Sequence, residues 1–362
     1  MNSAPVRVAD LIAGIGAGQP TPFSVSLRCG SCAIRVQSNS ASLIDRLRIY
    51  FAPFLAEVTS VDIAIEALDM DPPELQLDFA DWPRDAGKTG RKDSFVDLVD
   101  GRVCRKVRTG MQYFLGGGRR VVVGACLENG NQVINLVVSQ YIGWLLNRGW
   151  ALCHASGVVC ANKGLAIAAF SGGGKSTLAL HLMRHDVRFV SNDRMLIRME
   201  DSRPLMCGVP KHPRINPGTV LNNPSLSSII SEQRRQELAG LESRHIWDLE
   251  EKYDALIDQV YGTGRFQLAA NLTEFLILNW KRDTDAETRF TEIDIAARPD
   301  LLGAVMKTPG PFYIPGDAQA PSGMVAVNPA DYLPTLSRLS VIEVTGQVDF
   351  ERATAYCLAR LA

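Results

Sequence analysis

Short stretches in which hydrophobic and polar residues alternate dominate the first 125 residues, and this period-two pattern predicts β-strands. Residues 23–36 alternate on both sides of Gly30 and Ser31, so they predict a hairpin that turns there. A helix capped by Ser40 or Ser42 is predicted to follow. Further strands are predicted over 61–68, 96–99, 103–107, 111–115 and 120–126. Residues 1–125 are therefore predicted to form an α+β module in which strands predominate, with an unknown role.

Longer apolar-periodic stretches and continuous apolar runs mark the rest of the chain, a pattern typical of helices and buried strands. Residues 132–148 carry apolar side chains on one helical face and predict a core helix. A buried strand over 150–160 and the apolar run 165–170 are predicted to pair as a hairpin. Helices are predicted over 225–261, 330–339 and 350–361, and strands over 272–280 and 341–344. Residues 126–362 are predicted to form a second, α/β domain.

A glycine-rich loop follows the apolar run 165–170 and precedes an apolar-periodic helix. Strand, glycine loop and helix in this order are typical of a P-loop, which binds the phosphates of a nucleotide. Glycines let backbone N–H groups point at an anion, and the helix N-terminus adds partial positive charge. The residues predicted to bind the nucleotide are Ser171, Gly172, Gly173, Gly174, Lys175, Ser176 and Thr177. Lys175 is expected to reach the β- and γ-phosphates, and the Ser176 hydroxyl to bind Mg²⁺.

One position departs from the usual P-loop pattern. Ala169 stands where the first glycine is expected, and alanine lacks glycine's access to positive φ. The alternative interpretation is a glycine-rich turn with an incidental lysine, but the strand and helix around the loop favour a nucleotide site.

Two further side chains are expected near the phosphate loop because strands carry them to the same edge. His154 lies on the strand predicted to pair with the strand before the loop. Asp193 directly follows a short apolar run, only 18 residues after Lys175. Strand ends beside a P-loop face the ligand, so Asp193 is predicted to hold Mg²⁺ or to accept a proton from an incoming hydroxyl. A hydrogen-bonded core histidine and a turn aspartate are the alternative interpretations.

The stretch 207–224 contains four prolines and two glycines, a composition that predicts a shaped loop rather than a regular element. It carries Lys211, His212 and Arg214, which could clamp a transferring phosphate or an acidic substrate. A solvated charge cluster is the alternative interpretation.

The composition argues against several other classes of function. Apolar residues make up 46% of the 362 residues and charged residues 21%, as in ordinary globular proteins. The net charge of −1 provides no basic field for nucleic acid or an anionic membrane, and no apolar run is long enough to span a bilayer. The first residues do not resemble a secretory signal, so the eight cysteines are expected to be reduced thiols in the cytoplasm. A homo-oligomeric state stays open.

Three segments together resemble the HPr kinase/phosphorylase superfamily, and more narrowly the HprK-related kinases of bacterial gene clusters, including their kinase B group. The segments are LCHASGV at 152–158, SGGGKST at 171–177 and VSNDR at 190–194. The resemblance implies a P-loop kinase core related in fold to phosphoenolpyruvate carboxykinase. It also implies ATP, Mg²⁺ and transfer of phosphate to a serine hydroxyl. By position, His154 corresponds to the family histidine, and Asp193 to the second of two aspartates that supply the general base.

Two positions depart from the family pattern. Asn192 stands where the family has its first aspartate, and an amide cannot take up a proton as a carboxylate does. The family's glutamate–isoleucine–arginine–glycine signature appears here as PRIN at 213–216. Arg214 is thus expected to be the phosphate-binding arginine, whereas the metal-binding glutamate is missing, and the phosphorylase half of the family activity is left in doubt.

The leading hypothesis is an ATP- and Mg²⁺-dependent kinase that phosphorylates a hydroxyl, expected to be a serine, of an unidentified protein or peptide. Ser176 and Asp193 would hold the metal, Asp193 would also receive the proton, and His154 and Arg214 would steady the transferring group. One alternative is a nucleotide-binding regulatory module with weak or no transfer activity. The other is a small-molecule or carboxykinase-like kinase.

Overall fold

The computed structural model describes residues 5–16, 19–84, 89–170, 172–241, 246, 249, 251–316 and 323–362. Two compact units divide the chain: Met1–Arg148 with Thr308–Ala326, and Gly149–Lys307 with Val327–Ala362. The predicted boundary after residue 125 thus falls inside the first unit. The helix at Gly130–Leu146 belongs to that unit because its apolar face packs on the strands and helix before it.

The first unit is rich in strands, as its alternating pattern predicts. Its described elements are α1 (Val8–Gly16), β1 (Phe23–Cys29), β2 (Cys32–Ser38), α2 (Ala41–Tyr50), β3 (Ile63–Asp69), β4 (Ala80–Asp81), β5 (Asp93–Leu98), β6 (Gly101–Lys106), β7 (Gln112–Gly116), β8 (Arg119–Gly124) and α3 (Gly130–Leu146). The sheet order is β1-β2-β3-β8-β7-β6-β5-β4, with β3 parallel to β2 and β8. The predicted hairpin is confirmed, since Cys29 faces Cys32 across a turn at Gly30, and both side chains are buried.

The second unit contains the remaining elements. Those described are β9 (Ala151–Cys153), β10 (Ala155–Cys160), β11 (Lys163–Ala169), α4 (Lys175–Leu182), β12 (Arg188–Ser191), β13 (Met195–Glu200), β14 (Arg203–Cys207), β15 (Arg214–Ile215), α5 (Pro217–Leu221), α6 (Glu232–Ala239), β16 (Tyr253–Asp254), α7 (Ile257–Tyr261), β17 (Ala269–Leu278), β18 (Arg289–Ile293), α8 (Pro299–Val305), α9 (Leu333–Leu336), β19 (Ser340–Thr345) and α10 (Phe350–Leu361). Short 3-10 helices lie at Pro224–Ile229, Ile295–Ala297 and Pro329–Asp331.

The main sheet of the second unit runs β12-β10-β11-β17-β14-β13-β9, with β19 beside β17 and β18 beside β19. Strands β11, β17 and β19 are parallel, and β10 pairs antiparallel with β11 in the predicted hairpin. Successive side chains of β11 point to opposite faces of the sheet. Ile167 packs in the core under α4 and α10, whereas Ala168 packs in the core under α8 and α9. The predicted α/β class is therefore confirmed as a mixed α/β arrangement.

Three sequence predictions for this unit need correction. The strand predicted over 150–160 breaks at His154, because β9 pairs with β13 whereas β10 pairs with β11 and β12. Residues 225–261 do not form one helix; α6 is short, since Ser231 caps its start and it ends at Gly240. The proline-rich stretch 207–224 contains α5, which Asn216 caps by accepting a hydrogen bond from the Thr219 N–H.

Among the described residues, no helix is both long enough and apolar enough to cross a bilayer.

Candidate functional site

The glycine loop between β11 and α4 has the backbone conformation that only glycine adopts easily. Gly172 and Gly174 have φ of 78° and 90°, in the left-handed region. The Gly173 N–H donates to the Phe170 carbonyl at 2.9 Å and tightens the turn after the strand. Lys175, Ser176 and Thr177 then form the first turn of α4. Ser171, the first residue of the predicted loop, lies outside the described residues.

Two aromatic side chains from distant parts of the chain support this loop. The Trp280 indole N–H donates to the Gly173 carbonyl at 2.8 Å, just after the end of β17. A Cβ on Gly174 would lie 2.7 Å from the ring of Phe350, the first residue of α10. The two rings meet edge to face with centroids 5.1 Å apart. The loop therefore rests on a packed aromatic base that sequence reasoning did not find.

His154, Lys175 and Asp193 converge at one edge of the sheet. Because β10 runs antiparallel to β11 and β12, its start lies beside the ends of those two strands. The Lys175 Nζ lies 2.8 Å from His154 Nε2 and 3.4 Å from Asp193 Oδ1. His154 Nε2 lies 3.1 Å from the same carboxylate oxygen. The structure thus brings together three of the predicted site residues.

The contacts of His154 depend on its protonation. A single ring nitrogen either donates or accepts, so protonated Nε2 donates to Asp193, whereas unprotonated Nε2 accepts from Lys175. The backbone N–H of His154 donates to the Val305 carbonyl at 2.7 Å, which fixes the backbone position from which the imidazole side chain extends. The protonation of Nε2 therefore decides which of the two partners it binds.

Lys307 is a further member of this group, and sequence reasoning missed it. Its Nζ lies 3.2 Å from Asp193 Oδ2, so both carboxylate oxygens have cationic neighbours. The segment after α8 carries Lys307 to the site, because its backbone N–H donates to the Leu152 carbonyl at 3.1 Å. A lysine in an irregular segment has no local pattern that marks it as a site residue.

The charges around Asp193 determine its ionisation. Burial raises the pKa of Asp193, but the hydrogen bond from His154 and the charges of Lys307 and Lys175 outweigh it and hold the pKa well below its ordinary value. The carboxylate is therefore ionised throughout the neutral range. Two lysines, Lys175 and Lys307, thus contact this one carboxylate.

The basic residues of the loop between β14 and α5 were predicted to clamp a phosphate, but Arg214 and His212 have other partners. Arg214 pairs with Asp254 across β15 and β16, with Nε and Oδ1 3.4 Å apart, rather than with His154, Lys175 or Asp193. His212 is a buried core residue, and its Nδ1 accepts a hydrogen bond from the Ile257 N–H at 3.1 Å.

Lys211, in the same loop, belongs to the electrostatic surroundings of Asp193. Burial, together with the charges of Arg194 and Arg214, lowers its pKa to about 7, while the charge of Asp193 opposes the shift. Its ammonium therefore changes charge near neutral pH.

The residues of the site fit a nucleotide that brings its own magnesium ion. The glycine loop leaves open space at Gly172, where an added Cβ would have no atom within 4 Å. Ser176 and Asp193 offer hard oxygen ligands, and Mg²⁺ commonly takes one or two such ligands together with substrate phosphates. The buried Asn192 Oδ1 has no hydrogen-bond partner among the described residues. No group of three His, Cys, Asp or Glu side chains gathers as a metal site in that part of the chain.

Comparisons with known proteins give a distant likeness to solved structures. No family model matches the chain, and no curated protein matches it. Among solved structures, the chain is similar to the Hpr(Ser) kinase/phosphatase from Coxiella burnetii at 12% sequence identity, with a TM-score of 0.28. The match covers 58% of this chain and 87% of the other. What the site can do chemically therefore follows from the contacts of its own residues.

Proposed function

We propose that the second unit is an ATP- and Mg²⁺-dependent phosphotransferase that moves the γ-phosphoryl group to a hydroxyl. The observation that carries this proposal is the meeting of Lys175, His154 and Asp193 within 3.4 Å at the end of a glycine loop. Loop, lysine and carboxylate are the parts that phosphoryl transfer requires, since its catalysis is mainly positioning and charge stabilisation.

Lys175 has two alternative anionic partners in this proposal. Without nucleotide it lies against Asp193 and His154. With nucleotide it would turn to the β- and γ-phosphates, and the amides of residues 172–174 would donate to the same groups. Asp193 would then lose one cationic neighbour, which leaves the oxygen that faced Lys175 open to Mg²⁺ or to the incoming hydroxyl.

Ser176 and Asp193 would hold Mg²⁺, whose charge would offset that of the phosphates. Asp193 would take the proton of the incoming hydroxyl, whose oxygen forms the new bond to the γ-phosphorus while the bond to the β–γ bridging oxygen breaks. Lys307 would keep the carboxylate oriented, and His154 would relay the proton. We propose Arg214 as a phosphate contact that would have to leave Asp254 first.

The acceptor proposed from the sequence resemblance is a serine of a protein or peptide, and a small hydroxyl compound is the competing acceptor. The test is incubation of the purified chain with γ-labelled ATP, Mg²⁺ and cell lysate, followed by separation of protein from small molecules. Lys175→Met should abolish label transfer, whereas Lys163→Met, at the exposed opposite end of β11, should not. Equal labelling with both variants would exclude this site as its source.

A nucleotide-binding regulatory module is the second candidate, and the state of Asp193 favours it. A carboxylate held by two lysines and a histidine, with a pKa well below its ordinary value, is a weak base as it stands. This candidate predicts Mg²⁺-dependent ATP binding that Lys175→Met abolishes, with no phosphate released and no label transferred.

A further inference from the structure

A cavity of about 410 Å³ opens within the first unit. It lies between the β7–β8 turn, the C-terminal half of α3 and residues 312–316, all of them within that unit. Small-molecule sites commonly have this volume. None of the nucleotide-site residues lines it, so any ligand would have a separate role.

Arg120 of β8 is a charged residue of the cavity wall, and a hydrogen bond holds its guanidinium in place. Its Nε donates to Gln140 Oε1 at 2.8 Å, and Gln140 Nε2 donates in turn to the Phe312 carbonyl at 2.8 Å. Both ends of the Gln140 amide are thereby used. The chain of two hydrogen bonds fixes the plane of the guanidinium and leaves its two Nη groups directed away from Gln140.

These Nη groups lack a partner within the described part of the chain. No carboxylate there pairs with Arg120. Neither Nη is among the buried polar atoms that lack a hydrogen-bond partner, so both are accessible to solvent. Burial lowers the pKa of Arg120 because the charge is only partly hydrated. A half-buried guanidinium with two free parallel donors fits the paired oxygens of a carboxylate or phosphate.

Three other charged side chains line the cavity: Asp100, Arg119 and Arg148. Arg119 pairs with Glu66, with Nη2 and Oε1 2.7 Å apart. The carboxylate of Asp100 caps α1 by accepting from the N–H groups of Val8 and Ala9 at 2.7 and 3.1 Å. Arg148 lies over the Trp144 ring, 3.7 Å from its centroid, and its Nη1 donates to the Trp144 carbonyl at 3.1 Å. Arg120 is therefore the guanidinium that a hydrogen bond to a neutral side chain holds in the cavity wall, and Arg148 adds a second positive charge.

Aromatic side chains form one part of the wall. Trp144 lies on α3, and Tyr313 is held in place by a 2.9 Å hydrogen bond from its hydroxyl to Asn147 Oδ1. We propose that the cavity binds a small organic anion, with its carboxylate or phosphate on the Nη groups of Arg120 and its apolar body against Trp144 and Tyr313. This proposal is independent of the phosphotransferase proposal, because it concerns different residues.

Calorimetric titration of the full chain with phenylphosphate, benzoate, inorganic phosphate and acetate tests the proposal. The Lys175→Met background removes phosphate binding at the glycine loop. We expect saturable binding of at least one aryl anion, tighter than that of its counterpart without the ring. The preferred aryl anion distinguishes a phosphate ligand from a carboxylate ligand. Absence of binding by all four probes would overturn the proposal.

Two variants link the binding to Arg120. Arg120→Gln should weaken the aryl anion about tenfold or more, as expected for lost hydrogen bonds to a charged group. Arg91→Gln, which removes an exposed arginine paired with Asp81 outside the cavity, should leave binding unchanged. Gln140→Glu places a carboxylate beside Arg120 and should also weaken the anion. Unchanged affinity in Arg120→Gln would overturn the proposal.

The thermal midpoint without probe separates a binding role from a structural one. Removal of a half-buried charge that lacks a carboxylate partner should leave the midpoint of Arg120→Gln equal to or above that of the parent. A lowered midpoint together with intact aryl-anion binding would instead give Arg120 a structural role and overturn the proposal.

Discussion

Lys307 and Asp193 form an ion pair in which Nζ and Oδ2 lie 3.2 Å apart, although 114 residues separate them in the chain. The other carboxylate oxygen faces His154 and Lys175. Groups from separate parts of the second unit thus hold both oxygens, so the carboxylate has a defined orientation at the end of the glycine loop.

Lys307→Met should lower phosphoryl transfer about tenfold while ATP affinity stays nearly unchanged, because Lys307 contacts Asp193 and not the glycine loop. Lys307→Arg should restore part of the rate, since arginine can also pair with the carboxylate. Steady-state kinetics and ATP titration measure the two effects separately, with Lys163→Met as the control. A parallel loss of ATP affinity would show that Lys307 binds the nucleotide instead.

Asp193→Asn should retain ATP binding and lose transfer by about a hundredfold or more, because an amide cannot accept the hydroxyl proton. The matched control is Asp186→Asn, an exposed carboxylate before β12 in the same unit. Label transfer and nucleotide affinity should be measured on the same preparations. Transfer at the parent rate in Asp193→Asn would remove Asp193 from the mechanism.

Gly174→Ala should destabilise the protein by about 1–3 kcal/mol, since φ of 90° is strained for alanine and the new Cβ would meet the Phe350 ring. Gly303→Ala is the matched control, because Gly303 is exposed in α8 and a Cβ added there would have no atom within 4 Å. It should stabilise the protein by about 0.5–1 kcal/mol. Urea unfolding measures the change in the free energy of unfolding for each variant. Equal changes in Gly174→Ala and Gly303→Ala would contradict a strained loop.

The parts of the site that could be predicted are those that local sequence patterns determine. The glycine loop lies in one continuous motif, and the β10–β11 hairpin follows from alternation around a short turn. The hairpin brings His154 beside the end of β11, and the short crossover brings Asp193 to the same edge. Local patterns are therefore enough to group these residues.

The remaining contacts depend on tertiary packing that no local pattern encodes. Trp280 reaches Gly173 from 107 residues away, and Lys307 reaches Asp193 from a segment without periodicity. Arg214 pairs with Asp254 because the two-residue strands β15 and β16 meet, and strands this short leave no alternation to detect. Arg120 is the second of two arginines at the start of β8, so only the cavity beside it distinguishes it from other arginines.

The last prediction concerns the dependence of stability on pH. Burial and the charge of Arg194 lower the pKa of Lys211 from 10.5 to about 7 in the folded state. Below that value both folded and unfolded chains carry the charge, and the folded chain bears the full cost of the buried ammonium. Between about pH 7 and 10.5 the unfolded chain binds more protons, so this contribution to the free energy of unfolding rises with pH.

Lys211→Met removes this titration, so its gain in stability over the parent should be largest at about pH 6 and should shrink towards about pH 9.5. Any change in packing at the substituted side chain shifts the difference by a constant and leaves its slope intact. Urea unfolding of parent and variant across this range measures the slope, with Lys163→Met as a control in which the lysine is exposed and the difference should stay level. A level difference for Lys211→Met as well would mean that Lys211 keeps its charge throughout, and its ammonium would then have to be hydrated or paired in the folded protein.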